Sequence, residues 1–138
     1  DGQTNYLAAI PLPVTKAFVQ RGQERFKIYC TPCHGGQGLG ESTGIVGANE
    51  GGGFGGIKSL HSDVALKLAD GKLFDVISNG QNAMKGYAST LSVRDRWAVV
   101  GYVRALQLSR LGRESEVPER FHVKPAPKPI AKPEPKSK

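Results

Sequence analysis

The chain has 138 residues and a mass of 14.8 kDa, with 19 Lys and Arg against 12 Asp and Glu, a formal charge of +7 and an isoelectric point near 9.6. That is one domain's worth of sequence, and its low apolar share of 38 % reflects two local stretches, glycine-rich at 35–56 and proline-rich at 125–135. The densest apolar run, residues 98–103, falls far short of the ~18–20 residues of a membrane span, and two Cys are too few for a disulfide framework.

Residues 1–14 read as an extended lead-in, because Pro11 and Pro13 block an early helix. A chain that opens at Asp1, with no basic segment followed by an apolar one, is read as already processed. From residue 15 to residue 30 the pattern turns helical. Phe18, Gly22, Phe26 and Cys30 recur every four residues and line one face, with Thr15 the expected N-cap and Pro32 the expected stop. A Gly in that stripe weakens the helix by ~1 kcal/mol relative to Ala. It makes sense where a second helix crosses very close.

Residues 35–56 hold 11 of the 18 Gly and read as a long loop. Gly51-Gly52-Gly53-Phe54-Gly55-Gly56 matches G-x-G-x-x-G literally. With no strand before it and no helix opening directly after it, it reads as flexible loop, not as a dinucleotide site. Residues 62–69 carry Val64, Ala65 and Leu68 at helical spacing. Asp70 is the expected N-cap of a further helix over 71–78, which puts Leu73, Val76 and Ile77 on one side and stops at Asn79-Gly80. Residues 81–91 form a second loop, which holds the only Met, Met84. Ser92 then caps a strong helix to about residue 109, with Asp95 placed as in a capping box. Trp97, Gly101 and Ala105 share one stripe and Val99, Tyr102 and Leu106 its neighbour. No stretch alternates long enough for a sheet, so the domain is expected to be all-α. The tail over 112–138 is Pro/Lys-rich; its last 17 residues hold five Lys and one Glu and are too poor in apolar residues to fold.

The most informative feature is Cys30-Thr31-Pro32-Cys33-His34. Two thiols at this spacing can each add S–H across a vinyl group of one porphyrin, and the His that follows then lies under the iron; C-x-x-C-H is read as c-type haem attachment. A thioredoxin-like motif would follow a strand in a βαβ pattern, which is absent. A zinc site from Cys30, Cys33, His34 and His61 lacks the usual paired spacing. Met84, His61 and His122 are the candidates for the other axial position. Met84 is favoured because it sits in a polar loop between Gly80 and Gly86, where an apolar side chain can fold inwards over a haem. Thioether ligation raises the reduction potential. The basic tail has no aromatic interleaving or RNA-binding motif, so no nucleic-acid partner is expected.

Together, the helix with Gly22 and Phe26 before Cys30-x-x-Cys33-His34, the loop Met84, and the final helix with Val99 and Tyr102 resemble the class I cytochromes c over residues 15–109. The resemblance implies an all-α fold in which the first and last helices cross. It also implies one covalent haem c on Cys30 and Cys33, axial ligands His34 and Met84, and a pocket walled by Phe26, Leu68, Ile77, Tyr87 and Trp97. The loop after His34 lacks the family's Gly-Pro-Leu-like stretch, so it names no backbone carbonyl to orient that ring. Residues 21–30 and 95–107 look like the monohaem cytochrome c subunits of bacterial alternative complex III, a membrane quinol oxidoreductase. That likeness implies an electron carrier rather than a catalytic enzyme, on the periplasmic side of a membrane in a respiratory or photosynthetic chain. Its partners would be the other subunits of such a complex, a redox partner protein, or both, with anchoring through those subunits or an N-terminal lipid. A free periplasmic cytochrome c and a haem sensor with an open sixth position are the alternatives.

Overall fold

In the computed structural model, residues 5–40 and 57–112 are described. The expected tail beyond Gly112, His122 and the glycine match at 51–56 lie outside them.

Thr15 caps α1 (Lys16–Tyr29), its hydroxyl accepting from Phe18 N at 3.1 Å, and Phe18, Gly22 and Phe26 form the buried stripe. Pro32 does more than stop this helix. The chain restarts at once as the single turn α2 (Thr31–His34), with Pro32 in its first turn, where a missing N–H costs nothing. Ser62 caps the short α3 (Asp63–Lys67) by accepting from Ala65 N. α4 runs Asp70–Asn79, and here the expected cap is displaced: Ala69 holds the cap position and Asp70 is the first helical residue. The Asp70 carboxylate instead serves tertiary structure, accepting from Ile10 N at 3.0 Å and from Arg104 Nε at 2.7 Å.

Residues 81–91 were expected to be plain loop, but they begin in a hairpin. β1 (Gly80–Gln81) pairs antiparallel with β2 (Met84–Lys85), with Gln81 opposite Met84, and Asn82 turns the chain at φ 53°. α5 (Val93–Leu111) follows, capped by Ser92, whose hydroxyl accepts from Asp95 N at 3.1 Å. Only this half of the expected capping box is seen; the Asp95 carboxylate turns to Arg21 of α1, at 2.8 and 2.9 Å.

The packing of α1 against α5 is the most extensive between any two elements. A Cβ on Gly22 would stand 1.9 Å from the carbonyl oxygen of Ala98, so the two backbones touch there. Gly101 has a different reason. Its missing side chain seats the Phe18 ring, 3.1 Å from where a Cβ would be, and not a second backbone. Phe26, Val99 and Val100 are fully buried beside this crossing, and the Phe26 ring meets Tyr102 edge-on at 5.2 Å. Residues 5–14 are without a helix and lie as a strap over the start of α4, with Gly71 N donating to Leu7 O and the Tyr6 hydroxyl to Asp75.

The Arg21–Asp95 pair makes stability depend on pH. Its hydrogen bonds hold the Asp95 carboxyl below its ordinary range, so the contribution is present above the unfolded-state value and is lost as pH falls through the folded one. Asp95→Asn is therefore expected to melt below the parent at neutral pH, with the gap closing well below ~3.9, the ordinary Asp value. A gap in melting temperature that persists in strong acid would show that the pair is not its source.

Candidate functional site

α1 ends on Cys30, and the next turn brings Cys33 and His34. The amides of Cys33 and His34 both donate to Cys30 O, at 3.2 and 2.8 Å, which coils the motif into one tight turn. Both thiols are half-buried and unpaired. Burial, helped by the neighbouring Cys33, pushes the free Cys30 thiol up to about 12. A redox-active or nucleophilic cysteine needs the opposite shift, so the site's own electrostatics speak against thioredoxin-like chemistry.

His34 is held through its backbone, with its carbonyl accepting from Gly40 N at 3.0 Å. Gly38 O accepts from Leu60 N at 2.8 Å, which fastens the loop after the motif to the segment before α3. This brings the backbone of Lys58 to the His34 ring. Burial lowers the imidazole pKa, and the nearby Lys58 backbone works against it. A metal-binding histidine must be neutral, and the net direction keeps it so. Its Nδ1 is buried without a hydrogen-bond partner.

Of the other candidate ligands, His61 is engaged elsewhere, its Nε2 standing 2.7 Å from Gln37 O. Among the described residues no three His, Cys, Asp or Glu side chains gather as a metal site requires. The four-ligand zinc arrangement is therefore not assembled.

Met84 is half-buried on β2. Its hairpin is closed at the base by Tyr87 N donating to Ile77 O (2.8 Å) and Ala88 N donating to Ser78 O (3.2 Å). The Tyr87 hydroxyl then donates to Tyr29 O at 3.1 Å, one residue before Cys30, while the two rings meet edge-on at 6.0 Å. Burial first, and then the Cys30 and Cys33 thiols, raise the Tyr87 pKa. Tyr87 thus ties the Met84 loop to the C-x-x-C-H turn.

The other residues expected to wall a haem are spread through the core. Phe26 is spent on the helix crossing. Trp97 stacks on Phe74 at 4.2 Å, Ile77 is buried on α4, and Leu68 packs at the core's edge. Two surface grooves, one between Phe18 and Asp95 and one between Ile10 and Leu108, include none of the expected haem-site residues. Tyr29, Lys58, Ser78 and Arg96 were missed in sequence. Nothing local marks them, because each acquires its place from a distant segment.

Residues 17–103 match the family described as cytochrome c oxidase, cbb3-type, subunit III. The chain belongs to this family. It is a c-type cytochrome domain with the all-α class I fold, it carries covalently bound haem c, and its function is haem-based electron transfer. The comparison with curated proteins gives no significant match. The residues present fit the cofactor: two unpaired thiols on one turn suit thioether attachment to the porphyrin, and the buried, neutral imidazole beside them suits haem iron. Among the described residues no helix is long and apolar enough to cross a membrane.

Proposed function

We propose that this cytochrome domain is a one-electron carrier in which Cys30 and Cys33 hold the haem as thioethers and His34 and Met84 are its axial ligands. The observation that carries the Met84 assignment is the Tyr87 tether, which fastens the loop bearing the chain's only Met to the peptide carbonyl before Cys30. The haem supplies the redox couple. The protein supplies ligands, excludes water and tunes the potential.

The carrier works on the extracytoplasmic side of a membrane, since covalent haem c implies maturation outside the cytoplasm. The likeness of residues 21–30 and 95–107 to alternative complex III subunits supports assembly with a membrane quinol oxidoreductase. The alternative is a free periplasmic carrier. Pull-down from solubilised membranes is expected to recover quinol-oxidoreductase subunits; a chain that stays alone overturns complex membership. For the attachment, the parent band should stain for haem on a denaturing gel after acid–acetone extraction. Cys30→Ala/Cys33→Ala should lose the stain. Retention of the stain in that double variant would place the covalent bond elsewhere.

A further inference from the structure

Arg96, on α5, keeps only 9 % of its surface exposed, a rare position for a guanidinium without an acidic partner. Arg21, Lys72 and Arg104 pair with Asp95, Asp75 and Asp70. No ion pair among the described residues includes Arg96. Its Nη1 donates to Ser78 Oγ, its guanidinium carbon stands 4.8 Å from the Phe74 ring centroid, and its Nε is buried without a partner. Burying a cation with so little compensation is costly, which directs attention to what Ser78 holds.

Ser78, itself buried, lies one residue before the end of α4. Its carbonyl accepts from Ala88 N, and Ile77 O beside it accepts from Tyr87 N. A Cβ on Gly86 would stand 2.3 Å from Ser78 O, so the returning leg of the Met84 hairpin lies directly on this residue. The outgoing leg starts at Gly80, two residues on. Both legs therefore close on the short segment that Arg96 grips from the α5 side.

We infer that Arg96 is a positioning residue for Met84: by holding Ser78, it fixes the base of the hairpin and keeps the thioether on the iron. This rests on Met84 being the sixth ligand. The charged hydrogen bond acts on an opening of the hairpin, not on the chemistry of the haem. Its loss should enlarge the population in which the iron is open to an external ligand, by about tenfold for one such bond.

The test titrates imidazole into the ferric holoprotein and follows the long-wavelength absorption band of thioether-ligated haem, alongside far-UV melting. Arg96→Met and Ser78→Ala are each expected to raise the apparent imidazole affinity about tenfold and to lose the band on heating before the helices melt. Asp95→Asn, which loses the pair that the residue next to Arg96 makes with Arg21 and touches neither Arg96 nor Ser78, should lower melting without changing that affinity. A purely structural role predicts the reverse: all three variants melt earlier and imidazole affinity stays at the parental value, which overturns the inference. If Arg96→Met does not fold, Ser78→Ala decides, because it keeps the guanidinium and removes only the hydroxyl. A parent protein that shows no thioether band refutes Met84 ligation itself, and the inference falls with it. A parent with the band, and variants with parental affinity, refute the inference alone.

Discussion

Gly22→Val is expected to lower the melting temperature by about 10 °C or more and to weaken the proposed Met84–iron bond, and Gly22→Ala alone should already be damaging. A Cβ at this position would sit 1.9 Å from Ala98 O and 2.5 Å from its carbonyl carbon. Both are backbone atoms of a helix residue with no exposed surface, so no side chain can move aside. Overpacking costs ~1–3 kcal/mol or more, and in a domain of this size each kcal/mol is worth roughly 4–8 °C. The better helix propensity of Ala returns only ~1 kcal/mol. The damage reaches the haem turn because α1 continues into it, with Cys30 N bonded to Phe26 O at 2.9 Å. Gly101→Ala should be milder, since the first atoms met belong to the Phe18 ring. Thermal melting followed by far-UV circular dichroism checks the pair. A Gly22→Ala variant that melts like the parent would mean that the two helices do not touch there.

Met84→Ala is expected to leave the haem covalently attached while opening the iron. The ferric thioether band should disappear, the ferrous form should bind CO rapidly, and the reduction potential should fall. The fall is about 59 mV for each tenfold by which the thioether favours ferrous over ferric iron. The fold should survive, because the hairpin does not depend on this side chain. It is held by the β1–β2 pairing, by Tyr87 and Ala88 on the end of α4, and by the Tyr87 hydroxyl on Tyr29 O. Met84 is only half-buried, so its truncation removes little core. Persistence of the band in Met84→Ala would assign the sixth ligand to another residue. A parent that already binds CO rapidly would favour a sensor with an open site over a carrier.

Much of the fold was legible because its signals are local. Thr15 and Ser92 announce their helices by hydroxyls that can reach an amide three residues on, and each does so. The period-four stripe Phe18-Gly22-Phe26 is a property of the helix repeat and needs no knowledge of what it packs against. Asp70 shows where local reading fails. A carboxylate at a helix start has a capping role available, but Ile10 N and Arg104 Nε, 60 and 34 residues away, compete for it and win. Asp95 is similar: its amide obeys the local rule and its carboxylate answers to Arg21 across 74 residues.

The sequence by itself determined the class of this protein. The spacing of Cys30, Cys33 and His34 is covalent geometry along one chain, and the helical period around it is backbone geometry; neither waits on folding. Tertiary structure alone decided what surrounds the motif. It put Lys58 against the His34 ring, Tyr87 on the carbonyl before Cys30, Arg96 under Ser78, and Gly22 rather than Gly101 at the point where two backbones meet. Each of these depends on which faces of α1, α4 and α5 are pressed together. That is set by the sum of many weak apolar contacts, and no single pair of residues encodes it in advance.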